Sequence, residues 1–115
     1  MRFTLAIDND VVSNETINKL VNVNNLNVQV ADGKKSLVGI PAHFYITHNP
    51  DLAANLIKLG AMGIIYIGNS EDLIDKHLDD VERSGIIVLD SEKGLSEMIS
   101  TLVEELYEII YGNDR

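Results

Sequence analysis

The chain has 115 residues, no cysteine and a formal net charge of −9, with 45% hydrophobic and 23% charged residues. That is enough for one domain with one core, and it excludes disulfides, thiol chemistry and thiolate metal sites. No apolar run approaches the ~18 residues of a membrane span. The acids are unevenly placed: residues 71–115 hold thirteen against four bases, whereas residues 1–70 hold five of each. An acidic half of this kind repels nucleic acid and anionic membrane, so neither is expected as a partner. Solvated helix faces account for the excess in the simplest reading; a surface for a basic partner is the sharper one.

Arg2–Asp8 alternates and then runs apolar, as a buried first strand does. The segment lacks a signal peptide's apolar stretch and cleavage site, so a cytoplasmic protein is expected. Ser13 or Asn14 caps a short helix with Glu15, Ile17, Leu20 and Val21 along its inner stripe, ending near Asn22. Leu26, Val28 and Val30 alternate with polar residues as a strand with one wet face. Asp32-Gly33 is a turn signal, and Ser36–Ile40 reads as a short return strand, giving a hairpin over 26–40 that Pro41 ends.

From His43 the pattern is regular. Phe44-Tyr45-Ile46 is a buried strand, Asn49 caps a helix with Pro50 at its first position, and Gly60 ends that helix in the left-handed conformation. Gly63–Ile67 is the next strand. A helix capped by Asn69 or Ser70 follows, with Leu73, Ile74, Leu78 and Val81 inside, and Ile86–Leu89 is the last strand. In the final helix Leu95, Met98, Ile99, Leu102, Val103, Leu106, Ile109 and Ile110 recur at spacings of three and four. The expected fold is therefore a single α/β domain spanning 1–115. It has three layers, a mostly parallel sheet of about five strands and helices on both faces.

Such a sheet places a site at the carboxyl ends of its strands. Thr47, His48, Asn49, Gly68, Asn69, Ser70, Asp90 and Ser91 stand there, as donors for a small anionic or phosphorylated ligand near helix N-termini. Asp8 and Asp10 leave the first strand and could hold Mg²⁺, a cation that takes carboxylate oxygens. Turn and cap roles compete for all of these residues. There is no Gly-x-Gly-x-x-Gly, no Walker loop and no Gly-x-Ser-x-Gly elbow, so catalysis lacks a motif. Leu102, Leu106, Tyr107 and Ile110 lie on or beside the long final stripe, which can serve a partner as well as the sheet.

Ile46-Thr47-His48-Asn49-Pro50-Asp51-Leu52-Ala53-Ala54, Gly63–Gly68 and Ser84–Leu89 resemble the DRTGG-type domain, with related patterns in the N-terminal domains of HPr kinase and Mur ligases. Gly68-Asn69-Ser70 stands in place of the name-giving Asp-Arg-Thr-Gly-Gly run. The resemblance covers roughly residues 43–110 and implies an accessory module of a catalytic or regulatory partner. Phe3–Asp8 and Leu56–Gly63 are similar to parts of a receiver domain. Thr47-His48-Asn49 stands where its phosphoacceptor would be, which implies an atypical receiver working by contact and dimerisation. Half-domains of sugar-binding repressors share the rhythm too. Together these readings lead to a non-catalytic regulatory or interaction module acting by self-association or partner docking. A sensor of a small anion is the alternative.

Overall fold

The structure, a computed structural model, describes residues 2–8, 11–31 and 37–112. Its centre is a five-stranded sheet of β1 (Phe3–Asp8), β2 (Leu26–Ala31), β3 (Phe44–Thr47), β4 (Gly63–Ile67) and β5 (Ile86–Leu89). Every pairing is parallel and the order is β2-β1-β3-β4-β5. Parallel strands need crossovers, and these are α1 (Asn14–Val21), α2 (Pro50–Lys58) and α3 (Asp80–Ser84), with α4 (Leu95–Tyr111) closing the chain. The order is that of doubly wound sheets of the flavodoxin type, with the reversal between β1 and β3.

Period-two alternation divides the sheet into two cores. Phe3, Leu5, Ile7, Phe44, Ile46 and Ile65 face Leu20 of α1 and Leu95, Ile99 and Val103 of α4. Ala6, Tyr45, Ile64, Tyr66 and Ile86 face Ala53, Ala54 and Leu56 of α2 with Leu73 and Leu78. The expected three layers are therefore present. The caps also fall where the sequence places them. Ser13 Oγ accepts from the Thr16 N–H, Asn49 Oδ1 accepts from the Asp51 and Leu52 N–H groups, and Gly60 has φ +87°.

Two expectations need correction. Among the described residues of 26–40 no hairpin pairing is present: β2 pairs in parallel with β1, and Leu37–Gly39, read as part of a return strand, is a 3-10 turn. The Asp32-Gly33 turn lies outside the described residues. Leu37 and Ile40 are buried against the α2 side of the sheet, where a crossover helix would otherwise sit. The Tyr45 hydroxyl fixes this plug by donating to the Ile40 carbonyl at 2.6 Å and accepting from the Ala42 N–H at 3.2 Å.

The helix expected after Asn69 is also broken in two. A 3-10 helix, Ser70–Lys76, ends at His77 in the left-handed conformation, and α3 follows. Asp79 starts α3 with a reciprocal cap: its carboxylate accepts from the Glu82 N–H at 2.7 Å, and Glu82 accepts from the Asp79 N–H at 3.1 Å. Ile74 and Val81, expected inside, are consequently exposed.

Candidate functional site

The strand exits bring most of the expected polar residues to one edge, but their hydrogen-bonding groups largely serve one another. At the β1/β3 reversal Thr47 is fully buried, donates to Asp8 Oδ2 at 3.2 Å and accepts from the Asn49 N–H at 3.1 Å. His48 and Asn49 are exposed beside it, and the Asn49 side-chain oxygen is engaged by the first turn of α2. Asp10, and with it the Asp8–Asp10 pair, lies outside the described residues. Among the described residues no three His, Asp or Glu side chains cluster as metal ligands.

Gly68, Asn69, Ser70 and Asp90 share a shallow hollow with Val88 and Leu89. Asn69 in its lining is held by a bond absent from the sequence expectations. The Tyr66 hydroxyl donates to Asp72 Oδ2 at 2.6 Å, and the same oxygen accepts from the Asn69 N–H at 3.1 Å. Burial first, and then the Asp72 carboxylate, push the Tyr66 hydroxyl up to about 12, while that bond holds Asp72 below the ordinary carboxylate value. Gly68 is required here, because a Cβ would meet the Tyr66 hydroxyl at 2.6 Å.

Ser91 lies apart from that hollow, in a second one shared with Ser13, Thr16, Lys19 and Glu92. Its hydroxyl accepts from the Lys93 N–H at 3.3 Å. Glu92 was not anticipated. Its Oε2 accepts from the Ser13 N–H at 2.8 Å, and this bond first, then one from Thr16, holds the carboxyl below its ordinary value. An internal carboxylate thus occupies the N-terminus of α1, the position an anionic ligand would take. Sequence carries no signal for a pair 79 residues apart.

The opposite edge of the sheet is built differently. At ~1.5 Å per residue, the seventeen residues of α4 extend about 25 Å, whereas the four of β5 extend about 13 Å at ~3.3 Å each. Leu95, Ile99 and Val103 are buried, Met98, Leu102 and Leu106 pack partly against the same core, and the stripe then continues into the exposed Ile109 and Ile110. On this face of β5, Leu89 packs against the core but Ile87 is 37% exposed and borders an opening beside α4.

The result is a groove of about 550 Å³ between α4 and the sheet. Phe44, Gly63, Ile65 and Ile87 line the sheet side, and Leu102, Leu106, Ile109 and Ile110 the helix side. Ile109 is 71% exposed, Ile110 50% and Met62, at the rim, 75%. A Cβ on Gly63 would meet the Phe44 ring at 2.8 Å, so the glycine lets that ring lie on the sheet. His43, also in the lining, accepts the Thr4 N–H on Nδ1 at 3.0 Å and stacks edge-on to Phe3.

Of the four residues assigned to an interface, Leu102, Leu106 and Ile110 meet in this groove. Tyr107 lies outside its lining and packs its ring on that of Tyr111, with centroids 4.7 Å apart. Met62 and Ile87 escaped the sequence reading because an apolar residue at a strand end looks like core.

These features define a small, doubly wound α/β module with an internally bonded polar edge and an open apolar one. No family model, curated protein or solved structure matches the chain. Among the described residues no helix is long and apolar enough to cross a membrane.

Proposed function

We propose that the protein is a non-catalytic regulatory or interaction module that docks a basic protein partner through the second half of α4 and the groove beside it. One observation carries this reading: an apolar stripe continues past the sheet that would bury it, leaving Ile109 and Ile110 exposed over an open groove. Contiguous exposed apolar surface of this kind marks contact sites. Charge selects a different protein over a second copy. Each copy has a formal charge of −9, and α4 carries Glu97, Glu104, Glu105 and Glu108 with no Lys or Arg, so two such faces repel.

A photo-crosslinking residue at Ile109, in cells expressing the chain, tests the reading. A discrete adduct with a different protein is expected, and it disappears when Leu106→Asp is added. An adduct of two copies of this 12.7 kDa chain would make self-association the function, and the absence of any adduct would refute docking here.

The hollow that gathers Gly68, Asn69, Ser70 and Asp90 supports the sensor reading in second place. Its test is a melting scan against phosphorylated metabolites, where a ligand at about 100 times its Kd adds about 2.7 kcal/mol. No shift across the panel would remove that reading.

A further inference from the structure

The docking surface also carries information about the shape and charge of what it accepts. Resting on the reading above, we infer that the partner presents a basic amphipathic α-helix, which lies beside α4 as a third helix over β4 and β5. The groove runs along the second half of α4 with Phe44, Gly63, Ile65 and Ile87 as its floor, so an occupant lies alongside that helix on an apolar bed. Leu102, Leu106, Ile109 and Ile110 form a ridge at spacings of three and four, which interdigitates with a helix bearing the same spacing. An added strand fits less well. It would pair along the edge of β5, which has four residues, and would leave the groove above Ile65 and Ile87 open.

Charge sets the rest of the partner's chemistry. Glu105 is exposed, lines the groove, and has no ion-pair partner among the described residues. No Lys or Arg is among the described residues lining the groove, and α4 itself contributes none. A helix with apolar residues at i, i+3, i+4 and i+7 and Lys or Arg along one flank therefore fills the groove and meets Glu105. A helix with acidic flanks would be repelled by it.

Three synthetic 18-residue peptides test this on the intact chain. One is a leucine–lysine helix with leucines at those spacings, the second has the same composition with the stripe dispersed, and the third has glutamate in place of lysine. Fluorescence anisotropy gives affinity, circular dichroism the bound helix, and amide NMR shifts the location. The striped lysine peptide is expected to bind saturably and become helical, with shifts confined to Gly63, Ile65, Ile87 and the second half of α4. Glu105→Lys should weaken it at least about tenfold, since like charges then face one another. Leu106→Asp should abolish binding while its thermal melt shows that the fold is retained.

Equal binding of the dispersed peptide, shifts elsewhere, or indifference to Glu105→Lys would overturn the inference. Groove binding by the glutamate peptide would overturn the basic partner while leaving the groove as a docking site. If no peptide binds but the Ile109 crosslink forms and is sensitive to Leu106→Asp, docking stands and the helical partner does not.

Discussion

Replacing Tyr66 with phenylalanine removes one hydroxyl from a ring that is 2% exposed. The lost bond is the 2.6 Å donation to Asp72, the residue that also holds the Asn69 N–H at the start of the 3-10 helix. Hydrogen bonds to charged groups contribute ~1.5–3 kcal/mol, and because Asp72 reaches solvent the lower end applies, about 1.5 kcal/mol. Unfolding entropy of ~2.1 cal/mol/K per residue gives about 240 cal/mol/K for this chain, so Tm should fall by about 6 °C in a circular dichroism melt at neutral pH. The alkaline limb supplies a second signature. The hydroxyl is raised from 10.0 to about 12 in the folded state, so the folded protein keeps a proton that the unfolded chain releases. That contribution is complete below pH 10 and is lost as pH rises through 12. The parent should therefore lose more stability than the phenylalanine variant across this window, and the gap between their melting temperatures should close. A variant that melts with the parent at neutral pH, or two parallel alkaline curves, would refute the argument.

Thr47→Val keeps the shape of a fully buried side chain but strands the Asn49 N–H and the Asp8 carboxylate, so the urea midpoint should fall by an amount equivalent to ~1–3 kcal/mol with the slope unchanged. Ile99→Ala should cost ~2–5 kcal/mol, whereas Ile110→Asp, on the same stripe but past the sheet, should stay within ~0.5 kcal/mol. Equal costs in thermal melts would mean that α4 is buried along its whole length. Glu92→Gln removes a carboxylate whose folded value is depressed, so the stability it gives is present above the ordinary carboxylate value and lost as pH falls through the lower folded one. The variant should melt below the parent at neutral pH and show a flatter acid limb; coincident curves would show that the Ser13 contact adds nothing.

Local chemistry made much of the fold legible. Asn49-Pro50 and Gly60 bracket α2 because a side-chain cap, a fixed proline φ and a glycine at φ +87° act over a few residues. The eight apolar residues from Leu95 to Ile110 specified α4, but not where its sheet would end. That limit depends on strand lengths set elsewhere, and it is what turns Ile109 and Ile110 from core into surface. The region after Asn69 reads as one helix because Ile74, Leu78 and Val81 satisfy helical spacing, while the competing cap between Asp79 and Glu82 breaks the helix at His77. The plug of Leu37 and Ile40 was hidden for a similar reason. Its hydrogen-bond donor is the Tyr45 hydroxyl, which alternation alone identifies only as a buried ring.

The bond from the Ser13 amide to Glu92 has a consequence for the order of assembly. The eight-residue α1 is below the length at which a helix holds alone in water, and its N-terminal acceptor leaves the ribosome long after the helix itself. The Ser13 N–H at the start of the first crossover therefore finds its carboxylate acceptor only when the loop after β5 has been placed. In hydrogen exchange the Ser13 amide accordingly reports the final closure of the fold, and its protection should vanish in Glu92→Ala before that of the β1 amides does.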